Sequence, residues 1–185
     1  MARYLAIKYA IDRVVALGAA LAFAPLMAAL AVAVRIDSPG PVIFRQRRIG
    51  EQGRPFVIYK FRTLHLDAPA YSLKVGPDDP CVTRLGRVLR RTALDELPQV
   101  WNIVRGEMSW VGPRPEQPFL VETYTDWERA RLSVRPGLTG WWQIRRRKCE
   151  QMRDHVELDL YYVKHVSPWL DLKILLTTPW ALWRD

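Results

Sequence analysis

Two adjacent carboxylates, Asp95 and Glu96, are the residues of this sequence best suited to chemistry, because arginines flank them on both sides. These arginines are Arg84, Arg87, Arg90 and Arg91 upstream and Arg114 downstream. Guanidinium groups bind phosphate oxygens two at a time, and two carboxylates can hold Mg²⁺, which bridges to substrate phosphates. A carboxylate can also act as nucleophile or base while cations offset the charge of the transition state. The pattern predicts a phosphoryl-transfer site, against the alternative of a solvated, charged helix start.

A helix is expected to carry the two carboxylates, because apolar residues recur after them at helical spacing. These apolar residues are Leu94, Leu97, Trp101 and Val104. Thr92 can cap the helix, with Asp95 at its third position; alternatively Asp95 is the cap, which places Pro98 in the tolerant first turn. Both alternatives put Asp95 and Glu96 in the first turn, where unpaired N–H groups attract anions.

The other reactive residue types form no recognisable catalytic pattern. The sequence holds no P-loop, no GxGxxG and no Cys/His cluster at metal-ligand spacing. His65, His155 and His165 are isolated, which is typical of surface histidines. Cys81 and Cys149 are far apart and unpatterned, which indicates free thiols in a reducing compartment.

A β-hairpin is predicted upstream of the carboxylates, near residues 42–62. Residues 42–50 and 55–64 alternate apolar and polar side chains, and a short polar segment separates them. The hairpin ends at the basic sequence KFRT. Residues 65–80 are rich in turn-forming Asp and Pro, which predicts an exposed loop.

Amphipathic helices are predicted around the carboxylates. Residues 84–91 form one, with Leu85, Val88 and Leu89 on a common face. Residues 117–134 form another, whose inward side chains are expected to be Phe119, Leu120, Tyr124 and Trp127. A glycine-containing loop at 135–142 and a helix at 150–165 follow. The Trp-rich tail at 167–183 is typical of an interfacial helix that lies on a membrane.

The longest apolar stretch runs from residue 14 to residue 34 and holds 21 residues without a charged or strongly polar side chain. As a helix it would extend about 30 Å, close to the hydrocarbon thickness of a bilayer. Pro25, near its middle, can kink a helix. Basic residues flank both ends: Arg3, Lys8 and Arg13 precede it, and Arg35, Arg45, Arg47 and Arg48 follow it. These residues predict membrane insertion and leave two topologies open, a straight span or a re-entrant helix with both ends in the cytoplasm.

The chain carries 28 Lys and Arg against 19 Asp and Glu, for a net charge of +9. Nucleic acid, anionic lipid and phosphorylated substrates are the partners that such a charge can bind. Nucleic acid is disfavoured because the arginines cluster around two carboxylates that would repel a nucleic-acid backbone. The basic run at residues 145–148 is assigned to a lipid surface, because the chain is predicted to insert in a membrane.

Six segments match the motifs of a known family in sequence and in order. They are SPGPVIFRQRRIG, KFRTL, LRRTALDELPQVWNIVRGEMSWVGPRP, RPGLTGWWQI, ELDLYYV and LDLKILLTT. The chain thereby resembles the bacterial sugar transferases, the monotopic polyprenyl-phosphate phosphoglycosyl transferases. The resemblance implies an α+β, mostly helical fold with amphipathic interfacial helices around the active site. Residues 1–36 would be a re-entrant helix-break-helix anchor, and residues 37–185 a cytoplasmic, membrane-associated catalytic domain, the minimal catalytic module of the family.

The resemblance also implies an activity and a place. The enzyme would transfer a sugar-1-phosphate from a nucleotide sugar, usually a UDP-sugar, to a polyprenyl phosphate such as undecaprenyl phosphate, and would release UMP. This is a first membrane step of glycoconjugate or polysaccharide assembly at the cytoplasmic face of the bacterial inner membrane, with the membrane lipid as a further partner. Neither the sugar nor a homodimer is decided by the sequence, and a catalytically silent membrane scaffold of the same fold is the alternative.

The residues that match the family's functional positions take their roles from the resemblance. Asp95 matches the nucleophile, and Glu96 its partner in Mg²⁺ placement or in proton removal, so both are predicted metal ligands. The residues expected to bind substrate or phosphate are Lys60, Arg62, Arg90, Arg114 and Asp159. Ala24 departs from the family, which often has Ser before the central Pro, so the helix break must be stabilised in another way. Thr63 stands where Ser is also common.

Overall fold

Helices supply most of the regular structure, and two short pairs of strands complete it. The computed structural model describes residues 2–68, 79–146 and 155–183. The helices are α1 (Ala2–Asp37), α2 (Arg84–Thr92), α3 (Val100–Val104), α4 (Pro118–Glu122), α5 (Asp126–Arg129), α6 (Trp141–Arg146), α7 (Val156–His165) and α8 (Pro168–Trp183). The strands are β1 (Ile43–Ile49), β2 (Pro55–Phe61), β3 (Ser109–Val111) and β4 (Gly137–Thr139). Single 3₁₀ segments lie at Glu51–Gly53, Leu94–Gln99 and Ala130–Ser133. The predicted α+β, mostly helical fold is confirmed.

The predicted hairpin is confirmed as the antiparallel pair β1–β2, in register from Ile43 opposite Phe61 to Ile49 opposite Pro55. Its 3₁₀ turn needs left-handed backbone at Gln52, with φ of 56°, and at Gly53, with φ of 75°. The hairpin brings the basic segment at its C-terminal end to the carboxylates.

Helix α1 is the one helix among the described residues that is long and apolar enough to cross a membrane. It is helical through Pro25, so the break that the family resemblance implies there is not confirmed. Ala16 lies in a core with α3, and Val34 lies in a second core with β2 and α2. Residues 21–26, between these two contacts, are exposed on every side of the helix.

The 3₁₀ segment Leu94–Gln99, which carries Asp95 and Glu96 and is called the carboxylate turn below, lies between two cores. Leu94 and Leu97 pack on the core of Val34, Phe61 and Leu89. The helix that follows the turn packs through Val100 and Ile103 on a core that also holds Ala16, Phe56, Ile58 and Met108. Packing at both ends fixes the turn relative to the hairpin and to α1.

A third core joins the C-terminal helices to β3. It is formed by Val111, Val134, Trp141, Tyr162, Val163 and Ile174. The strand β3 pairs in parallel with β4, Ser109 opposite Gly137 and Val111 opposite Thr139. The expectation of a loop over residues 135–142 was therefore wrong, since Gly137–Thr139 is a strand and α6 begins at Trp141. The short strand has no alternating apolar pattern from which it could be predicted.

The helix predicted over residues 117–134 was also wrong in extent and in its inward face. Thr125 begins a new helix with a capping box, in which the Glu128 N–H donates to its Oγ1 and its own N–H donates to Glu128 Oε2. Tyr124 is buried as predicted, but Phe119 is exposed, and so is Trp127, which follows the cap and its change of helical phase. In α2, Leu89 is buried as predicted but Val88 is exposed.

The remaining predictions on surface residues fall partly on the described residues and partly outside them. His65 and His165 are exposed, as predicted. The helix predicted at 150–165 is confirmed for Val156–His165, and the tail is helical as α8, while its predicted place on a membrane stays a prediction. Cys149, the middle of the loop predicted at 65–80 and the second half of the basic run at 145–148 lie outside the described residues.

Candidate active site

The carboxylate turn begins at a strained residue. Ala93 adopts left-handed backbone, with φ of 55°; its N–H donates to the Arg90 carbonyl at the end of α2, and its carbonyl accepts from the Glu96 N–H. Thr92 belongs to α2, where its hydroxyl donates 2.9 Å back to the Val88 carbonyl. Neither proposed cap, Thr92 or Asp95, was therefore correct, because Ala93 occupies that position without a side-chain hydrogen bond. The placement of Asp95 and Glu96 in the first turn is confirmed.

Glu96 is bound by two cations from distant parts of the chain. Lys60 Nζ, from the end of β2, lies 2.6 Å from Glu96 Oε1, and Arg114 Nη2, after β3, lies 3.3 Å from the same oxygen. Both cations are partly shielded from water, so the two charge-assisted contacts are stronger than surface pairs. The predicted residues Lys60, Glu96 and Arg114 are thus brought together.

Asp95 is the more deeply buried carboxylate, with 8% of its surface exposed. Burial raises its pKa from an ordinary 3.8 to about 6, against the opposing effect of Lys60, and Glu96 adds to the rise while Arg90 and Arg114 reduce it. Within the described parts of the chain no side chain donates a hydrogen bond to Asp95. Its oxygens are therefore not committed to a protein donor in the way that Glu96 Oε1 is.

Arg90 is the third cation beside the pair and is held by the end of the hairpin. Its Nε donates to Thr63 Oγ1 at 2.9 Å, and the Thr63 carbonyl accepts from the N–H of Thr83, the N-cap residue of α2. Burial lowers the pKa of Arg90, while Asp95 opposes that effect. We call Lys60, Arg90 and Arg114 the cationic cluster. It places three positive charges beside Asp95 and Glu96, while Asp79 also acts on Arg90 and Glu116 on Arg114. Three cations converging on one carboxylate pair suit an anionic ligand.

Arg62 is not part of the cationic cluster. It is buried, and its guanidinium donates to the carbonyls of Ser38 at 2.6 Å and Pro39 at 2.9 Å, where the chain leaves α1. The substrate-binding role predicted for Arg62 stays a prediction. Its contacts indicate that it holds the exit of α1 against the strand that carries Lys60.

Asp159 lies behind the cluster and is fully buried, at 0% exposure. It pairs with Arg131, whose Nη2 donates both to Asp159 Oδ2 and to the Arg114 carbonyl. Burial raises the pKa of Asp159, and Arg131 opposes the rise. The predicted contact of Asp159 with substrate stays untested. Arg131 itself was not found from the sequence, because an arginine within the charged run ERAR is typical of a solvated helix face.

The two carboxylates have the oxygen chemistry that Mg²⁺ requires, but they do not form a closed metal site. Among the described residues there is no group of three or more His, Cys, Asp and Glu side chains placed to hold a metal. Asp95 has oxygens without a protein donor, whereas Glu96 Oε1 already accepts from Lys60 and Arg114. The pair therefore fits a Mg²⁺ whose other ligands come from substrate phosphate and water.

This arrangement can perform phosphoryl transfer. An ionised, buried carboxylate is available for attack on phosphorus, and three cations lie where the charge of a transferring phosphoryl group would develop. Burial keeps water from competing with these contacts, which strengthens each of them.

Comparisons with known proteins agree with this chemistry. The family model described as "Bacterial sugar transferase" matches residues 3–185. The chain is 40% identical over 182 residues to the UDP-N-acetylgalactosamine-undecaprenyl-phosphate N-acetylgalactosaminephosphotransferase of Aeromonas hydrophila. The aligned region covers 95% of this chain and 43% of that protein. It is 40% identical over 181 residues to the UDP-glucose:undecaprenyl-phosphate glucose-1-phosphate transferase of Escherichia coli, which covers 93% of this chain and 39% of the relative.

A shorter relative is covered more completely. The chain is 42% identical over 181 residues to the UDP-glucose:undecaprenyl-phosphate glucose-1-phosphate transferase of Caulobacter vibrioides. The aligned region covers 92% of this chain and 67% of that relative. The chain thus spans about two fifths of the length of the first two relatives and two thirds of this one.

We predict that Asp95→Asn raises the thermal stability of the protein at neutral pH. Because the folded pKa of Asp95 exceeds its ordinary value, ionisation is less favourable in the fold, and stability is lost as pH rises from 3.8 through about 6. The variant should therefore gain about 1–3 kcal/mol at pH 7.5, a few degrees in Tm, and nothing near pH 4.

The measurement is the Tm in detergent without divalent metal at both pH values. Asp126→Asn, at an exposed aspartate in the first turn of α5, is the control and should change Tm little at either pH. A lower Tm for Asp95→Asn at pH 7.5 would show that the Asp95 carboxylate stabilises the fold, contrary to this account.

Proposed function

We propose that this chain, which belongs to the bacterial sugar transferase family, transfers a sugar-1-phosphate from a UDP-sugar to undecaprenyl phosphate and releases UMP. The observation that carries the proposal is the placement of Asp95, buried but without a side-chain donor among the described residues, beside the cationic cluster. The names of the relatives supply the donor and acceptor classes, since they act on UDP-sugars and undecaprenyl phosphate.

The transfer is proposed to proceed in two displacements at phosphorus. An Asp95 carboxylate oxygen attacks the sugar-bearing phosphorus of the donor, and the bond from that phosphorus to the bridging oxygen breaks, so that UMP leaves with the electron pair. A phosphate oxygen of the polyprenyl phosphate then attacks the aspartyl-phosphosugar. The carboxylate leaves, and a polyprenyl-diphosphate-sugar is formed. Division into two steps means that a soluble donor and a lipid acceptor need not occupy the site together.

The cationic cluster is proposed to bind the phosphates of both substrates. Lys60 and Arg114 already lie within 3.3 Å of a shared anionic oxygen on Glu96, so a phosphate oxygen that enters beside it meets two positioned donors. Arg90 approaches from α2, where its contact with Thr63 fixes the direction of the guanidinium. Together these donors can offset the charge that develops on the equatorial oxygens during transfer.

Glu96 is proposed to position charge rather than to remove a proton. Its Oε1 is bound by Lys60 and Arg114, so it orders both cations around the phosphates. Asp95 and Glu96 would hold Mg²⁺ together with the donor's phosphate oxygens, and the ion would neutralise part of the diphosphate charge and ease departure of UMP.

The polar contacts at both ends of α1 support the re-entrant topology. Near the N-terminus, Lys8 and Asp12 are buried, and Lys8 Nζ lies 2.9 Å from Asp171 Oδ2 on α8. At the other end, Asp37 Oδ2 accepts from the Leu85 N–H at 3.2 Å. Buried charges cannot remain paired in this way if the catalytic body and one end of α1 lie on opposite sides of a bilayer.

The uncovered middle of α1 fits the same topology. Residues 21–26 are apolar and exposed, so they can enter lipid while the two flanks stay with the body. Pro25 lies inside this segment and lacks the N–H that a regular helix would use, which makes it the natural place for a bend. Ala24 has no hydroxyl to satisfy the carbonyl that Pro25 leaves without a partner.

The exposed side of α8 supports a position at the membrane surface. Trp169 is 79% exposed, and Leu172, Leu176 and Trp180 continue the same stripe at helical spacing. Such a stripe suits the boundary between headgroups and acyl chains, where Trp finds both apolar contact and a polar partner. The catalytic site would then lie at the cytoplasmic headgroup level, where a lipid phosphate is found.

Purified protein with Mg²⁺, a UDP-sugar and undecaprenyl phosphate is expected to release UMP, and Asp95→Asn should lower the rate at least a thousandfold. A panel of UDP-sugars, assayed by UMP detection, identifies the sugar at the same time. Asp126→Asn serves as the control and should keep the wild-type rate. No UMP release from the wild type with any donor would favour the silent scaffold, and normal turnover by Asp95→Asn would exclude the covalent route.

For topology, single cysteines that replace the exposed residues Arg3 and Arg54 are expected to lie on the same side of the membrane. The background would carry Ser at positions 81 and 149. A membrane-impermeant maleimide should label both positions in inside-out vesicles and neither in intact spheroplasts. Labelling of position 3 from the outside alone would establish a straight span instead.

A further inference from the structure

We propose that Arg131 and Asp159 form a positioning pair, which fixes the backbone of Arg114 and so directs its guanidinium to the donor's diphosphate. The proposal rests on the proposed function for the identity of the ligand. In this proposal Asp159 does not contact the substrate. It lies behind the site and acts on it through Arg131. The two residues lie 28 positions apart in the sequence, and Arg131 is not part of any motif from which the function was argued.

Burial of this pair is nearly complete. Arg131 is 1% exposed and Asp159 is 0% exposed, so neither can meet a ligand in this structure without a rearrangement of the core. A guanidinium removed from water is costly unless a carboxylate and further acceptors take up its donors. Asp159 provides that compensation, which makes the pair a fixed point in the fold.

The donors of Arg131 reach the segment that carries Arg114. Nη2 donates to the Arg114 carbonyl at 2.9 Å as well as to Asp159, while Nη1 donates to the Tyr124 hydroxyl. Nη1 also lies 3.6 Å from Glu116 Oε2. One guanidinium therefore binds residue 114 through its main chain and residue 116 through its side chain, on either side of Pro115.

Strand β4 holds the same segment through main-chain hydrogen bonds. The Gly137 N–H donates to the Pro113 carbonyl at 2.8 Å, and the Gly112 N–H donates to the Thr139 carbonyl at 3.0 Å. The approach is so close that a Cβ on Gly137 would lie 2.1 Å from the Gly112 nitrogen. The two residues before Arg114 are thus held by β4, and the Arg114 carbonyl itself is held by Arg131.

The Arg114 side chain extends from this clamped backbone to the carboxylate turn. Its guanidinium lies 3.3 Å from Glu96, and 36% of the side chain is exposed. A ligand can therefore reach the side chain while the backbone of Arg114 stays fixed. A shift of about 1 Å in a positioned group can cost on the order of a hundredfold in rate. Arg131 makes these contacts with two nitrogens, Nη2 to Asp159 and the Arg114 carbonyl and Nη1 to Tyr124 and Glu116. A lysine has one nitrogen on a shorter side chain, so it can keep a charge opposite Asp159 but cannot reproduce the whole set and hold the Arg114 segment in the same position.

The test compares Arg131→Lys with the wild type in an Arg114 background and in an Arg114→Ala background. Arg131→Lys keeps a charge opposite Asp159, whereas Asp159→Asn would leave a buried charge unpaired and endanger folding. The readouts are kcat/KM for the UDP-sugar, the Kd for UDP in the presence of Mg²⁺, and Tm. Arg129→Lys, an exposed neighbour, is the matched control.

We expect Arg131→Lys to lower kcat/KM for the donor and to weaken UDP binding by about tenfold or more when Arg114 is present. In the Arg114→Ala background the same change should have less than a twofold effect, because Arg131 acts on the ligand only through the Arg114 side chain, which this background lacks. Arg129→Lys should change neither quantity. Equal losses in both backgrounds, or a loss that only follows a fall in Tm, would overturn the positioning role.

The UDP-binding readout separates this proposal from the proposed function. If the wild type binds UDP but never turns over, the sugar-phosphate transfer fails while the coupling between Arg131 and Arg114 is still measured. If the wild type turns over and the two substitutions act independently, the transfer stands and the positioning pair is wrong.

Discussion

The removal of the Asp95 carboxylate from water is the constraint on which the rest of the structure depends. A buried carboxylate is unfavourable unless cations face it, and here they come from three distant segments: Lys60 from the hairpin, Arg90 from α2 and Arg114 from the loop after β3. The residual cost appears as the raised pKa of Asp95. At neutral pH the group is ionised, partly desolvated and opposite an excess of positive charge, which is the state that a nucleophile toward phosphorus requires.

The surrounding fold keeps these groups in place by different means. The carboxylate turn is packed between two cores, Arg90 is directed by Thr63, and the Arg114 backbone is bound by Arg131 and by β4. Helix α1 takes part in both cores, so the helix proposed to enter the membrane also packs against the elements that carry the site. Because both of its ends carry polar contacts to that body, the level of the site relative to the lipid surface is coupled to the packing of α1.

Local patterns predicted the hairpin, the first-turn placement of Asp95 and Glu96, the apolar helix and α8, because each depends on periodicity or on neighbouring residues. Contacts between distant segments were not predictable in this way. The charged sequence around Arg131 is typical of a surface helix, and only the fold shows that Arg131 pairs with Asp159. Trp127 was expected inward because the cap at Thr125, which resets the helical phase, was not recognised. Asp159 and Arg62 were singled out by their motifs, but a motif does not say whether a residue touches substrate or supports one that does.

The central claim is that Asp95 becomes covalently bound to the phosphosugar. The most direct measurement incubates the protein with Mg²⁺ and a UDP-sugar labelled in its sugar-bearing phosphate, without the lipid acceptor, and maps the label by mass spectrometry of acid-quenched peptides. The account predicts label on the peptide that holds Asp95, at that residue, and its discharge when undecaprenyl phosphate is added. Label at Glu96, or turnover by a protein that never carries label, would contradict it.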